Sequence, residues 1–247
     1  LPDYLVKIKD TKIADINFAA IDSEEVAAGL NGGNPDELAD GVLLVMPHLD
    51  LAGALIDCKS IVFALLNIMI PGDVDIYKHS LRVQKIVTRF AEYLSLTAKE
   101  REHLECAAVL HDLGMLAVGR ETRLKAAALT VLEQKIIAIH SLLGYRILDL
   151  LDFCVDIKPP VLHHHERMDG AGYPAGLAGD TISLGGRIIA IADAFDAMTV
   201  AQPYRRDVSA QSAADELKKN AGAQFDSRLV DEFVAFIFSK YWQGRNE

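Results

Sequence analysis

Residues 97–112, TAKEREHLECAAVLHD, decide how this chain folds. Thr97 and Glu100 form a capping box, in which hydroxyl and carboxylate each satisfy a backbone N–H that the first turn of a helix leaves open. The spacing predicts a helix over Thr97 to Leu110, and its last four residues, Ala107 to Leu110, are all apolar. A buried helix end therefore delivers His111 and Asp112. An ionised aspartate in such surroundings needs a partner, either the histidine and the helix terminus or a cation shared with other ligands.

Outward from this segment the same signals recur. Thr130 to Glu133 is a second capping box, and Asn34-Pro35-Asp36-Glu37 joins a capping residue to a proline at the first helical position. Helices are expected over about Asp75 to Leu96, Glu133 to Leu151, Gly185 to Val200, Ser209 to Asn220 and Asp226 to Lys240. No alternating strand pattern follows Pro71. The expected fold is all-α: a helical bundle spanning residues 59–247, with Lys158 to Ser183 as one long irregular excursion. Residues 1–58, broken at Asn31-Gly32-Gly33-Asn34, read as a small N-terminal subdomain.

Composition narrows the function. With 247 residues, 51% of them hydrophobic, the chain can bury a proper core, and a formal charge of −10 argues against a nucleic-acid polymer as partner. Cys58, Cys106 and Cys154 are odd in number and set among aliphatic residues, as expected of reduced thiols in the cytoplasm. The most apolar run, Ile61 to Ile70, is too short to span a bilayer, so no membrane partner is expected.

The remaining chemistry sits in polar residues with apolar neighbours. His140 lies among Ile136, Ile137, Ile139, Leu142 and Leu143, where a lone histidine is ordinarily just hydrogen-bonded. Asp193 interrupts the apolar helix Ile188 to Phe195, so it must be protonated, paired or metal-bound. Asp75 and His79, four residues apart, share a helix face as an ion pair or as part of a site. The run His163-His164-His165-Glu166-Arg167-Met168-Asp169-Gly170-Ala171-Gly172-Tyr173-Pro174 reads as an active-site wall. Together His79, His111, Asp112, His140, His164, His165 and Asp193 make a nitrogen and oxygen ligand set without cysteine. Such a set suits iron, manganese or zinc in a site of more than one ion, with a carboxylate as the bridge.

The order His79, then His111-Asp112, then Asp193 resembles the HD superfamily of metal-dependent phosphohydrolases. His140 with Gly144, His164-His165-Glu166-Arg167 with Asp169-Gly170 and Gly172-Tyr173-Pro174, and Arg187 to Asp196 look like its HD-GYP branch. The similarity runs on through Pro203-Tyr204-Arg205 and Gln224-Phe225-Asp226, covering about residues 60 to 238.

This resemblance implies an HD-type bundle and a phosphodiesterase that opens cyclic di-GMP to linear pGpG, and in the family often on to GMP. It places one divalent metal on His79, His111, Asp112 and Asp193, and a second on His140, His164 and His165 with Asp112 as the bridge. The His111-Asp112 pair would be the catalytic centre, holding hydroxide between two ions for attack on phosphorus. A third metal in the family uses a glutamate where this chain has Asp75, a shorter reach. Gly172, Tyr173 and Arg205 would face substrate, Glu166 would support a ligand histidine, Arg167 and Asp169 would brace each other, and His163 would be structural. His48 and His103 have no role assigned.

Three other positions depart from the family pattern. Met115 replaces a lysine, Gln202 an arginine, and Met168 a tryptophan. Losing two cations while keeping the ligands leaves two alternatives to efficient hydrolysis. One is a metal-bound regulatory module that binds the dinucleotide or a partner protein; the other is a hydrolase for another nucleotide. Residues 1–58 are open as a homodimer contact, a sensor remnant or extra core.

Overall fold

The computed structural model describes residues 74–118, 120–123, 125, 127–150, 155–200 and 208–243. The N-terminal subdomain expected over residues 1–58, Cys58, Cys154, Gln202 and Arg205 lie outside them. Among the described residues the fold is all-α, with two isolated bridges, Asp169 to Ala178 and Ala221 to Phe225, in place of any strand.

The helices are α1 (Val74–Tyr93), α2 (Ala98–Leu110), α3 (Arg120–Arg123), α4 (Val131–Ala138), α5 (His140–Leu150), α6 (Lys158–His163), α7 (Leu184–Thr199), α8 (Ala210–Lys219), α9 (Ser227–Ile237) and α10 (Lys240–Gln243), with 3-10 turns at Leu113–Ala117 and Gly179–Thr181. Both capping boxes form. Thr97 accepts from the Glu100 N–H at 3.3 Å while the Glu100 carboxylate accepts the Thr97 N–H at 2.8 Å. At Thr130 the same exchange starts α4.

α1 buries Ser80, Val83, Ile86, Val87, Phe90 and Ala91, a stripe at helical spacing. Phe90 meets Phe233 of α9 edge-on, ring centres 5.1 Å apart, and Phe233 meets Phe195 of α7 at 5.3 Å. The buried end of α2, Cys106 to Leu110, joins this core. Five segments thus bring polar side chains toward one point from within an apolar mass.

Two expectations are corrected. The helix foreseen over Glu133 to Leu151 is broken at Ile139, because the Ile137 carbonyl, which an unbroken helix would give to the residue 141 N–H, accepts from the Ile139 N–H and the His140 ring instead. The excursion begins later than Lys158. Residues 158–163 are helical, with prolines in the first turn where no N–H donor is missed.

Candidate metal centre

His79 projects from α1, His111 ends α2, Asp112 heads the following 3-10 turn, His140 opens α5, His164 ends α6 with His165 next, and Asp193 projects from α7. The structure brings all seven together. Ligating atoms cluster within 4.8 Å of one another in three overlapping groups: His79, His111 and Asp193; His111, Asp112 and His164; and His140, His164 and His165. Asp75 belongs to none of them and is exposed in the first turn of α1.

The ring nitrogens are sorted by the backbone. Nδ1 of His111, His140 and His164 lies 2.8, 2.6 and 2.7 Å from the carbonyls of Ala108, Ile137 and Val161, each three residues earlier. A carbonyl can only accept, so each Nδ1 carries a hydrogen and each Nε2 faces the centre. His111 Nε2 is buried with no hydrogen-bond partner, 3.5 Å from Asp112 Oδ2. His140 Nε2 lies 3.1 Å from His164 Nε2 and 3.2 Å from Asp112 Oδ1. Electron pairs held face to face in buried space fit a cation between them.

Asp112 divides its oxygens. Oδ1 faces His140, whereas Oδ2 faces His111 and, at 3.8 Å, His79. Burial pushes its carboxyl up, but His111, His140 and His79 outweigh that and hold it well below the usual range. Burial drives His165 down to about 3, with His140 adding to the effect, and His164 falls for the same reason. His164 and His165 are thereby held as neutral imidazoles, the state in which histidine binds metals; at His140 burial lowers the ring but the Asp112 carboxylate outweighs it and raises it. His79 behaves otherwise. Burial lowers it, yet Asp193 at 3.1 Å and Asp196 at 2.7 Å raise it to about 10.

The excursion lines one side of the cluster. Tyr173 lies over His165, ring centres 4.8 Å apart and tilted by 33°. Its N–H donates to the His165 carbonyl at 3.2 Å. Gly172 is required by closeness, since a Cβ there would sit 2.4 Å from the Arg167 nitrogen and 2.6 Å from the Glu166 Cα. Beside the cluster a cavity of about 340 Å³ is lined by His164, His165, Arg167, Gly172, Tyr173, Asp193 and Gln224. A second cavity of about 460 Å³, lined by Leu96, His103, Leu104, Pro160 and Ile188, contains none of the seven.

Arg167 and Asp169 do brace each other, at 2.6 and 3.0 Å. His163 is buried and accepts the Ser183 N–H at 3.2 Å, away from the ligands. Glu166 corrects the expectation that it supports a ligand histidine. Its carboxylate accepts the Ala175 N–H at 2.7 Å and the Leu177 N–H at 2.9 Å, pinning the far side of the loop. Glu166→Ala should orphan both donors, destabilise the fold by about 2 to 3 kcal/mol and speed protease cleavage within residues 170–178. Limited proteolysis at the wild-type rate would show that the loop is held by other contacts. Asp196 and Arg82 were missed as members of the site. The available signal was spacing, as Arg82 follows His79, and Asp196 follows Asp193, by three residues on one helix.

The model of the HD domain family matches residues 67–229. The cyclic di-GMP phosphodiesterase response regulator RpfG of Xanthomonas campestris pv. campestris is 38% identical over 155 residues, covering 62% of this chain and 41% of its own length. The 3'3'-cGAMP-specific phosphodiesterase 3 of Vibrio cholerae is 30% identical over 217 residues, 88% of this chain and 47% of its own. This chain spans less than half the length of these relatives. Among solved structures, an HDG"Y"P protein from Bdellovibrio bacteriovorus superposes with a TM-score of 0.59 at 16% identity, over 96% of this chain and 78% of that one. That likeness concerns the fold.

Proposed function

This chain belongs to the HD domain family, and from that premise we propose that it is a metal-dependent phosphodiesterase that hydrolyses cyclic di-GMP to linear pGpG and on to GMP. The observation that carries the reading is Asp112, whose two oxygens face two different sets of imidazole nitrogens. His79, His111, Asp112 and Asp193 would hold one divalent ion. Asp112, His140, His164 and His165 would hold the other, iron or manganese first and zinc compatible. When bound, such ions supply Lewis acidity, acidifying water and neutralising charge on phosphoryl oxygens.

The chain's own residues supply the rest. The carbonyls of Ala108, Ile137 and Val161 keep three rings in the ligating tautomer before any ion arrives, which lowers the cost of assembling the site. His111 and His140, 1% and 2% exposed, are walled off from bulk water, while Asp193 opens onto the cavity. Gly172 and Tyr173 line that cavity, and the close backbone approach at Gly172 lets the loop fold back so that the Tyr173 ring lies over His165. Arg205 is proposed as a further phosphate contact.

A third ion at Asp75 has little support, because that residue is exposed and apart from the three groups. Met115, in place of the family's lysine, packs against the apolar cluster of Val118, Ile139 and Leu143 and offers phosphate no charge. Among the described residues no helix is long and apolar enough to cross a membrane. The partner proposed is a cyclic dinucleotide, and residues 1–58 remain proposed as a separate subdomain for dimer contact or regulation.

The test is to incubate manganese-loaded protein with cyclic di-GMP and, separately, 3'3'-cGAMP, and to separate the products by chromatography. Linear product from cyclic di-GMP is expected. Tight binding without cleavage would replace the enzyme by a regulatory module, and cleavage of the mixed dinucleotide alone would change the substrate.

A further inference from the structure

Asp196 and Arg82 lie outside the ligand set, yet they single out one end of it. His79 Nδ1 is 2.7 Å from Asp196 Oδ2. Asp196 is 2% exposed and is gripped by both arms of a guanidinium fork, Arg82 Nε to Oδ1 at 2.8 Å and Nη2 to Oδ2 at 2.9 Å. The rings of His111, His140 and His164 rest instead on neutral carbonyls. A carbonyl fixes a tautomer, but a carboxylate also pushes electron density into the ring and makes the opposite nitrogen a stronger donor. An isolated buried carboxylate would be costly, and the fork offsets that cost.

The two helices are cross-braced. α1 supplies His79 and, one turn on, Arg82; α7 supplies Asp193 and, one turn on, Asp196. Asp196 of α7 thus supports His79 of α1, and Arg82 of α1 holds Asp196 in place. The His79 end also holds two carboxylates, Asp193 and Oδ2 of Asp112, whereas the opposite end has three imidazoles and Oδ1.

We propose that Arg82 and Asp196 are positioning residues that raise the metal affinity of the His79 end, so that this end fills before the end built on His140, His164 and His165. The inference rests on the metal reading of the site. It adds an order of filling and names the residues that set it.

The experiment titrates the metal-stripped chain, residues 1–247, with Mn²⁺ by calorimetry and with Co²⁺ by visible absorption. Wild type should show two classes of site. Asp196→Asn leaves an oxygen for the His79 N–H but removes the charge, so the tighter class should weaken by about 10- to 100-fold. The weaker class should hold, and the Co²⁺ bands of the first equivalent should shift. Arg82→Lys, which keeps charge but loses the fork, should move the tighter class the same way by a smaller factor. Unfolding of the metal-free variants reports any purely structural role, which would leave the first-equivalent spectrum unmoved. Wild-type affinities in Asp196→Asn, or loss of the weaker class instead, would overturn the proposal. Absence of any metal binding by wild type would overturn the metal reading with it.

Discussion

Asp112→Ala should leave the purified chain with far less than one divalent ion where wild type holds about two. Asp112 is the residue whose removal touches both ends, because Oδ1 faces His140 and Oδ2 faces His111 and His79. Loss of an outer support of a metal ligand already costs about 10- to 100-fold in affinity. Loss of a shared ligand should cost more, since each ion would lose a negative oxygen and the pair would lose the anion that offsets their mutual repulsion. Asp112→Asn separates charge from shape: it keeps the volume and one acceptor, and should retain metal poorly but better than alanine. Metal analysis after anaerobic preparation reads both variants. Two ions retained in Asp112→Ala would show that the imidazoles bind without a bridge.

Gly114→Ala should be the most damaging alanine substitution among the described glycines. A Cβ at Gly114 would sit 1.9 Å from the His140 carbonyl oxygen and 2.6 Å from the Gly144 nitrogen, so the 3-10 turn and α5 touch backbone to backbone. No side chain can swing aside to relieve that contact. α5 must shift, and His140 shifts with it. Overpacking of this kind costs about 3 kcal/mol or more, which for a chain this size lowers Tm by roughly 6 to 12 °C. The metal content should fall as well. A variant that melts within two or three degrees of wild type and keeps its ions would show that the turn and α5 can separate without harm.

These two residues also show what was legible in the sequence. The seven candidate ligands could be read because imidazole and carboxylate stand among aliphatic neighbours, as at Asp193 between Ile188 and Phe195, where burial without a partner is costly. The helices could be read because Thr97 and Thr130 announce them locally. The break at Ile139 could not, since it depends on which group takes the Ile137 carbonyl once the chain has folded. Arg82 and Asp196, 114 positions apart, look like ordinary surface charges until α1 and α7 meet. Glu166 was read toward its histidine neighbours, whereas it serves backbone donors nine and eleven residues ahead. Local periodicity reports which groups are buried; their partners are settled by packing.

The central claim is that this cluster, loaded with divalent metal, hydrolyses a cyclic dinucleotide. The most direct measurement strips the protein of metal, adds Mn²⁺ back in steps and follows linear product from cyclic di-GMP at each step. The account predicts no product from stripped protein, with activity rising and levelling off at about two equivalents. Undiminished cleavage by the stripped protein, or no linear product at full loading, would contradict it.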